Sequence, residues 1–94
     1  MVLNFEQVHN FYERLVFEAV ASMVASNPDF SADMLADVAC IVLNRLPVRY
    51  IRHDVDLMFY LTEQERHSIE VTMEEALVFG FNYVRERASK RTPN

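Results

Sequence analysis

Glycine occurs once in this chain, at position 80, and proline three times, at 28, 47 and 93. A chain so short of turn formers makes few sharp reversals, so its 94 residues must form a few long elements joined by few loops. Pro28 and Pro47 each follow an apolar run of helical spacing, where a residue without an amide hydrogen ends a helix. The spacing predicts a mainly all-α domain over residues 1–94. Three long helices are expected, at about 5–26, 32–46 and 63–88, with a short extended or hairpin segment around 48–61.

In the first helix, Phe5, Val8, Tyr12, Leu15, Ala19 and Met23 form the main stripe, and Val16 and Val20 widen it. Asn4 with Gln7 three residues on resembles a capping box. Phe17, Ala21 and Val24 lie off the stripe. Ser31 is a natural cap for the second helix, whose buried face is Leu35, Val38, Ala39, Val42, Leu43 and Leu46. From Val55 to Leu61 apolar and polar residues nearly alternate. That pattern favours a strand pairing with 48–51 around His53-Asp54, with a single helical turn as the competing reading. Thr62 and Glu65 make a capping box for the last helix. Its main stripe is Ile69, Met73, Ala76, Leu77, Gly80 and Val84, and Val71, Val78 and Phe81 form a second. Glycine at 80 marks a close approach by another backbone. The tail from Ser89 reads as frayed and polar. Two helices with two apolar stripes each, and seven phenylalanines with four tyrosines, suggest that some apolar surface serves a subunit interface.

The net charge of −5 disfavours general nucleic-acid binding, which leaves a basic footprint. The basic residues are nevertheless clustered. Arg45, Arg49 and Arg52 form one group, and Arg85, Arg87, Lys90 and Arg91 another, with an acidic stretch from Asp54 to Glu75 between them. Eight of the nine basic residues are arginine, which suits two-pronged contact with phosphate and stacking on flat rings. A single cysteine, the lack of a signal-peptide pattern and the lack of a membrane-length apolar run give a cytoplasmic expectation and no membrane partner.

Enzyme chemistry is not expected. One glycine cannot build a phosphate-binding loop. His9, His53 and His67 are widely spaced and lack companion cysteines, so no metal set emerges. Cys40, mid-helix among apolar neighbours, reads as a small buried hydrophobe. Glu70, Glu74 and Glu75, with Arg66, read as a solvated helix face.

Asp37, Val38, Ala39, Leu43, Asn44, Leu46, Pro47 and Tyr50 stand in a pattern that resembles the signature of the late competence development protein ComFB family. There an Asp-(Ile/Val)-x-Ala-x-x-Leu-Asn helix runs into Leu-Pro-Pro-x-Tyr. Asn10-Phe11-Tyr12-Glu13 is similar to that family's Asn-Tyr/Phe-Tyr-Glu opening. The resemblance covers about residues 5–88. It implies a helical homodimer and a regulatory role connected with competence and with motile or sessile behaviour. Some members are receptors for cyclic di-GMP or cyclic di-AMP. Many carry Cys-x-Cys-x-x-Cys before the aspartate and bind a structural zinc through it. Here those positions are Asp29, Ser31 and Met34, so no zinc and no other cofactor is expected, and fixing the turn falls to Pro28, Phe30 and Ser31.

The resemblance therefore implies a non-enzymatic receptor for a cyclic dinucleotide. Arg45, Arg49 and Arg52 are the candidates for phosphate contact or guanidinium stacking, with Tyr50 and His53 flanking. Arg85 and Arg87 come next. The competing expectation for the same residues is structural: Tyr50 and Leu46 in the core, Asn44 on local backbone groups, and the arginines paired with Asp54 and Asp56. A dimeric adaptor for a downstream protein partner, with no small ligand, is the alternative function.

Overall fold

The computed structural model describes residues 1–91; residues 92–94 and the side chains of Asp56, Met58 and Arg91 lie outside the described residues. In chain order the elements are β1 (His9–Asn10), α1 (Tyr12–Ser22), α2 (Ala32–Arg45), β2 (Tyr50–Ile51), α3 (Asp54–Tyr60) and α4 (Glu63–Arg91). The expected helical character holds, with three long helices and a short one.

Local chemistry sets the helix ends. Ser31 Oγ accepts a hydrogen bond from the Met34 amide at 3.1 Å and caps α2. Leu46 is extended, at φ −92° and ψ 148°, because Pro47 follows it. Thr62 Oγ1 accepts from the Glu65 amide at 3.1 Å and opens α4 as expected. The last turn after α1 tightens into i→i−3 bonds, Met23 to Val20 and Val24 to Ala21, before Pro28.

The core lies between α2 and its two neighbours, α1 and α4. Val16, Val38 and Val42 are fully buried, and Phe11, Tyr12, Val20, Ala39, Leu46, Ala76, Phe81 and Val84 surround them. Gly80 lets α4 lie against α2. A Cβ built there would stand 3.0 Å from Val42 Cγ2 and 3.5 Å from the Val38 carbonyl oxygen. The molecule measures 58 × 37 × 21 Å, so its thin dimension holds only about two helix layers. One face of each outer helix therefore stays in water. Phe17 on α1 and Val71 and Val78 on α4 are exposed, as is Val24 in the turn after α1.

Several expectations need correction. The first helix starts at Tyr12 and not at residue 5, and it ends at Ser22. Phe5 and Val8 are exposed, and Asn4 accepts from the Glu6 amide in a local turn instead of capping a helix. Residues 50–51 do not pair with 55–61. They pair antiparallel with residues 9–10, His9 opposite Ile51 and Asn10 opposite Tyr50. Residues 54–60 are helical, because Leu57 and Leu61 point inward four residues apart while Val55 and Phe59 are exposed. A strand would have put all four on one face. Phe81 belongs to the core, not to a second outer stripe, and Cys40 is exposed. Cys40 sits two residues, about 200° of helix, from both Val38 and Val42, which face inward. The expected frayed tail is helical through Arg91, and its remainder, with Pro93, lies outside the described residues.

Candidate functional site

The arginine corner is built where the end of α2 meets the start of α1. Pro47 turns the chain out of α2, and Asn10 catches it. The buried Asn10 side chain accepts from the Arg49 amide at 3.1 Å and from the Tyr12 amide at 3.4 Å. The Phe11 amide donates to the Arg49 carbonyl at 2.7 Å. A buried amide side chain with these bonds fixes the backbone of Arg49 while leaving its guanidinium in water. The two short motifs singled out in the sequence, Asn10-Phe11-Tyr12 and Leu46-Pro47-x-x-Tyr50, thus meet in space. Asn10 is the joint, a role its place in the motif hinted at but did not specify.

The five candidate residues lie along this turn. Arg45 ends α2, with its guanidinium carbon 3.7 Å from the centre of the Phe79 ring. Arg49 and Arg52 bracket β2, and both are exposed. Tyr50 is 68% exposed while its neighbour Ile51 packs inward, as alternation along a strand requires. Leu46 is buried, so the structural expectation holds for Leu46 and fails for Tyr50. Asn44 is exposed. His53 takes the N-cap position of α3 without a side-chain capping bond, and its ring is exposed.

The expected pairing of these arginines with Asp54 does not form, and His9 holds that carboxylate; the expected pairing with Asp56 lies outside the described residues. His9 Nε2 lies 2.7 Å from Asp54 Oδ1, and Nδ1 lies 2.6 Å from the Gln7 carbonyl oxygen. Both ring nitrogens face acceptors, an arrangement that suits the doubly protonated ring. The Asp54 hydrogen bond, then the Gln7 carbonyl, hold the His9 pKa above its ordinary 6.5. Among the described residues Arg45, Arg49 and Arg52 make no ion pair.

The second basic cluster divides by role. Arg85 donates from Nη2 to the buried Asn27 Oδ1 at 2.7 Å, pairs with Asp29 at 3.5 Å and lies over the Phe30 ring at 5.0 Å. Asn27 in turn donates to the Met23 carbonyl at 2.9 Å. Arg85 therefore clamps the α1–α2 turn, with Phe30 wedged against Phe81 at 5.2 Å. Asn27 and Arg85 add to the Phe30 and Ser31 expected to hold this turn. Arg87 stands apart, over the Tyr83 ring at 5.7 Å. Lys90 pairs with Glu86. Among the described residues no three His, Cys, Asp or Glu side chains are grouped to hold a metal ion, and no helix is long and apolar enough to cross a membrane.

No curated protein matches the chain, and no solved structure does. A family model does: the one described as late competence development protein ComFB aligns with residues 9–88, from the His9 strand through most of α4. The chain belongs to the ComFB family.

Proposed function

We propose that this chain is a non-enzymatic cytoplasmic regulator that binds a cyclic dinucleotide, cyclic di-GMP or cyclic di-AMP, as a homodimer without a resident metal. Its family is described by late competence development. The observation that carries the reading is the corner itself. Arg49 and Arg52 flank an exposed Tyr50 and have no carboxylate partner among the described residues, and Asp54, two residues after Arg52, is engaged by His9. In a protein of net charge −5, a local group of guanidiniums without an ion-pair partner among the described residues is suited to an anion. A cyclic dinucleotide presents two phosphates for forked hydrogen bonds and two flat bases for stacking on tyrosine, histidine or guanidinium.

Calorimetric titration with cyclic di-GMP and cyclic di-AMP, with the linear dinucleotide as control, tests the proposal. A receptor binds one cyclic ligand at micromolar concentration or tighter. Arg49→Ala and Arg52→Ala each weaken it by about tenfold or more, the effect of one charge-assisted contact. No heat from folded protein with either ligand rejects the receptor. The exposed apolar residues Phe17 and Val24 favour a second reading, a dimeric adaptor for a downstream protein, which is indifferent to both substitutions unless the corner is its protein contact.

A further inference from the structure

Outside the corner, α4 carries a row of alternating rings and guanidiniums. Phe79, Tyr83 and Arg87 follow one another at intervals of four residues, a span of about 12 Å along the helix. The Phe79 and Tyr83 rings are close to parallel, at 24°, with centres 5.9 Å apart. Arg45 reaches across from α2 to cover Phe79, and Arg87 covers Tyr83 while donating from Nη1 to its hydroxyl at 3.2 Å.

The two aromatic pairs that involve α4 are used differently. Phe30 and Phe81 are 8% and 4% exposed and serve the core. Phe79 and Tyr83 remain 39% and 41% exposed. Arg85 is tied to Asn27 and Asp29, whereas among the described residues neither Arg45 nor Arg87 has a carboxylate partner. The row therefore presents flat apolar faces and two unneutralised planar cations together. Its position is also distinct on the helix. Successive residues turn by about 100°, so Phe79 and Tyr83 flank the buried face of Ala76, Gly80 and Val84 while Val71 and Val78 lie opposite it.

We infer that this row is a stacking platform for the base of a nucleotide ligand, with Phe79 and Tyr83 beneath the base and Arg45 and Arg87 on its phosphate. The inference rests on the receptor reading above and extends it. Each guanidinium lies in the kind of plane a purine takes on the same ring, so the base stacks there as the guanidinium swings off the ring to the phosphate, and stacking of this kind accepts any base. Glu75, one turn before Phe79 on the same row, repels an anion at that end and directs the phosphate toward Arg87. Arg45 joins the two regions: it touches Phe79 and ends α2, the helix that leads into the Tyr50 corner.

The test is titration of the full chain and its Phe79→Leu/Tyr83→Leu and Arg87→Ala variants with cyclic di-GMP and cyclic di-AMP. Leucine keeps apolar bulk at these half-exposed positions, and urea midpoints report any loss of fold. The expected result is a Kd weakened by about tenfold or more in the double-leucine variant, at an unchanged midpoint. Saturation of the wild-type protein is expected to shift the Tyr83 ring resonances upfield, through the ring current of the stacked base. A wild-type protein that binds, loses binding on Arg49→Ala and keeps its Kd in the double-leucine variant overturns the platform alone. The row then only shields apolar surface. A wild-type protein that binds neither ligand rejects the receptor and the platform together.

Discussion

His9 performs three tasks at one position. Its backbone pairs with Ile51, and its ring reaches the Gln7 carbonyl and the Asp54 carboxylate on opposite sides. It thereby links the N-terminal strand to the first residue of α3. The charges acting on it come from α3, through Asp54, and from α1, through Glu13; its β2 neighbour Ile51 is uncharged. Both carboxylates and both hydrogen bonds favour the protonated ring, so its folded pKa is raised above 6.5. The sign follows from linkage: the contribution is complete below about 6.5 and is lost as pH rises through the higher folded value. Urea midpoints measured from acidic to alkaline pH are expected to fall across that window in the wild type. The fall should shrink in Asp54→Asn, and an equal fall in both would remove His9 as its source. A ring so placed could not be foreseen, because nothing near position 9 shows that residue 54 lies beside it.

At the scale of elements, both ends and the buried face of α2 were legible, though Cys40 on it was read as buried and is exposed. Ser31 caps it, Pro47 stops it, and Val38, Ala39, Val42 and Leu46 lie on one face. The β1–β2 pairing was not legible, since two-residue strands joined across some forty residues leave no local periodicity. For the same reason α1 was expected too early: Phe5 and Val8 keep helical spacing, but pairing at His9–Asn10 interrupts the helix before Tyr12. In α3, alternation around Leu57 hid the four-residue interval that turns Leu57 and Leu61 inward. The candidate corner was read from Arg45 to His53 in sequence, but Phe79 and Tyr83 were not, although their spacing with Arg87 lay in plain view. Gly80, by contrast, marked the close approach of α2 correctly. Alanine there gains about 1 kcal/mol of helix propensity, and overpacking typically costs about 1–3 kcal/mol. The built Cβ meets Val42 Cγ2 at 3.0 Å and Val38 Cγ1 at 3.3 Å, and helical valines are held near one rotamer. Gly80→Ala should therefore lower unfolding stability by about 1 kcal/mol net, read from the urea midpoint. A rise of similar size would mean that the valines yield freely.

The whole molecule is thin for its apolar content. Half the residues are apolar, yet a body 21 Å thick covers α1 and α4 on one side only. Val71 and Val78, seven residues or about two turns apart, project from α4 directly away from the core and stay 40% and 56% exposed. β-Branched side chains set in a line on a long helix are suited to packing against the same line on a second copy, around a two-fold axis. That arrangement also leaves the ring row at the flank of the proposed homodimer, open to a ligand. Val78→Glu places a charge in the middle of such an interface, and an unpaired charge there costs several kcal/mol on association while costing the isolated chain little. Sedimentation equilibrium should find the wild type dimeric and Val78→Glu monomeric with an unchanged helical spectrum. A wild type that sediments as a monomer at all accessible concentrations would reject the homodimer. A dimer that survives the glutamate would place its contact elsewhere, with Phe17 and Val24 of the α1 side next in line.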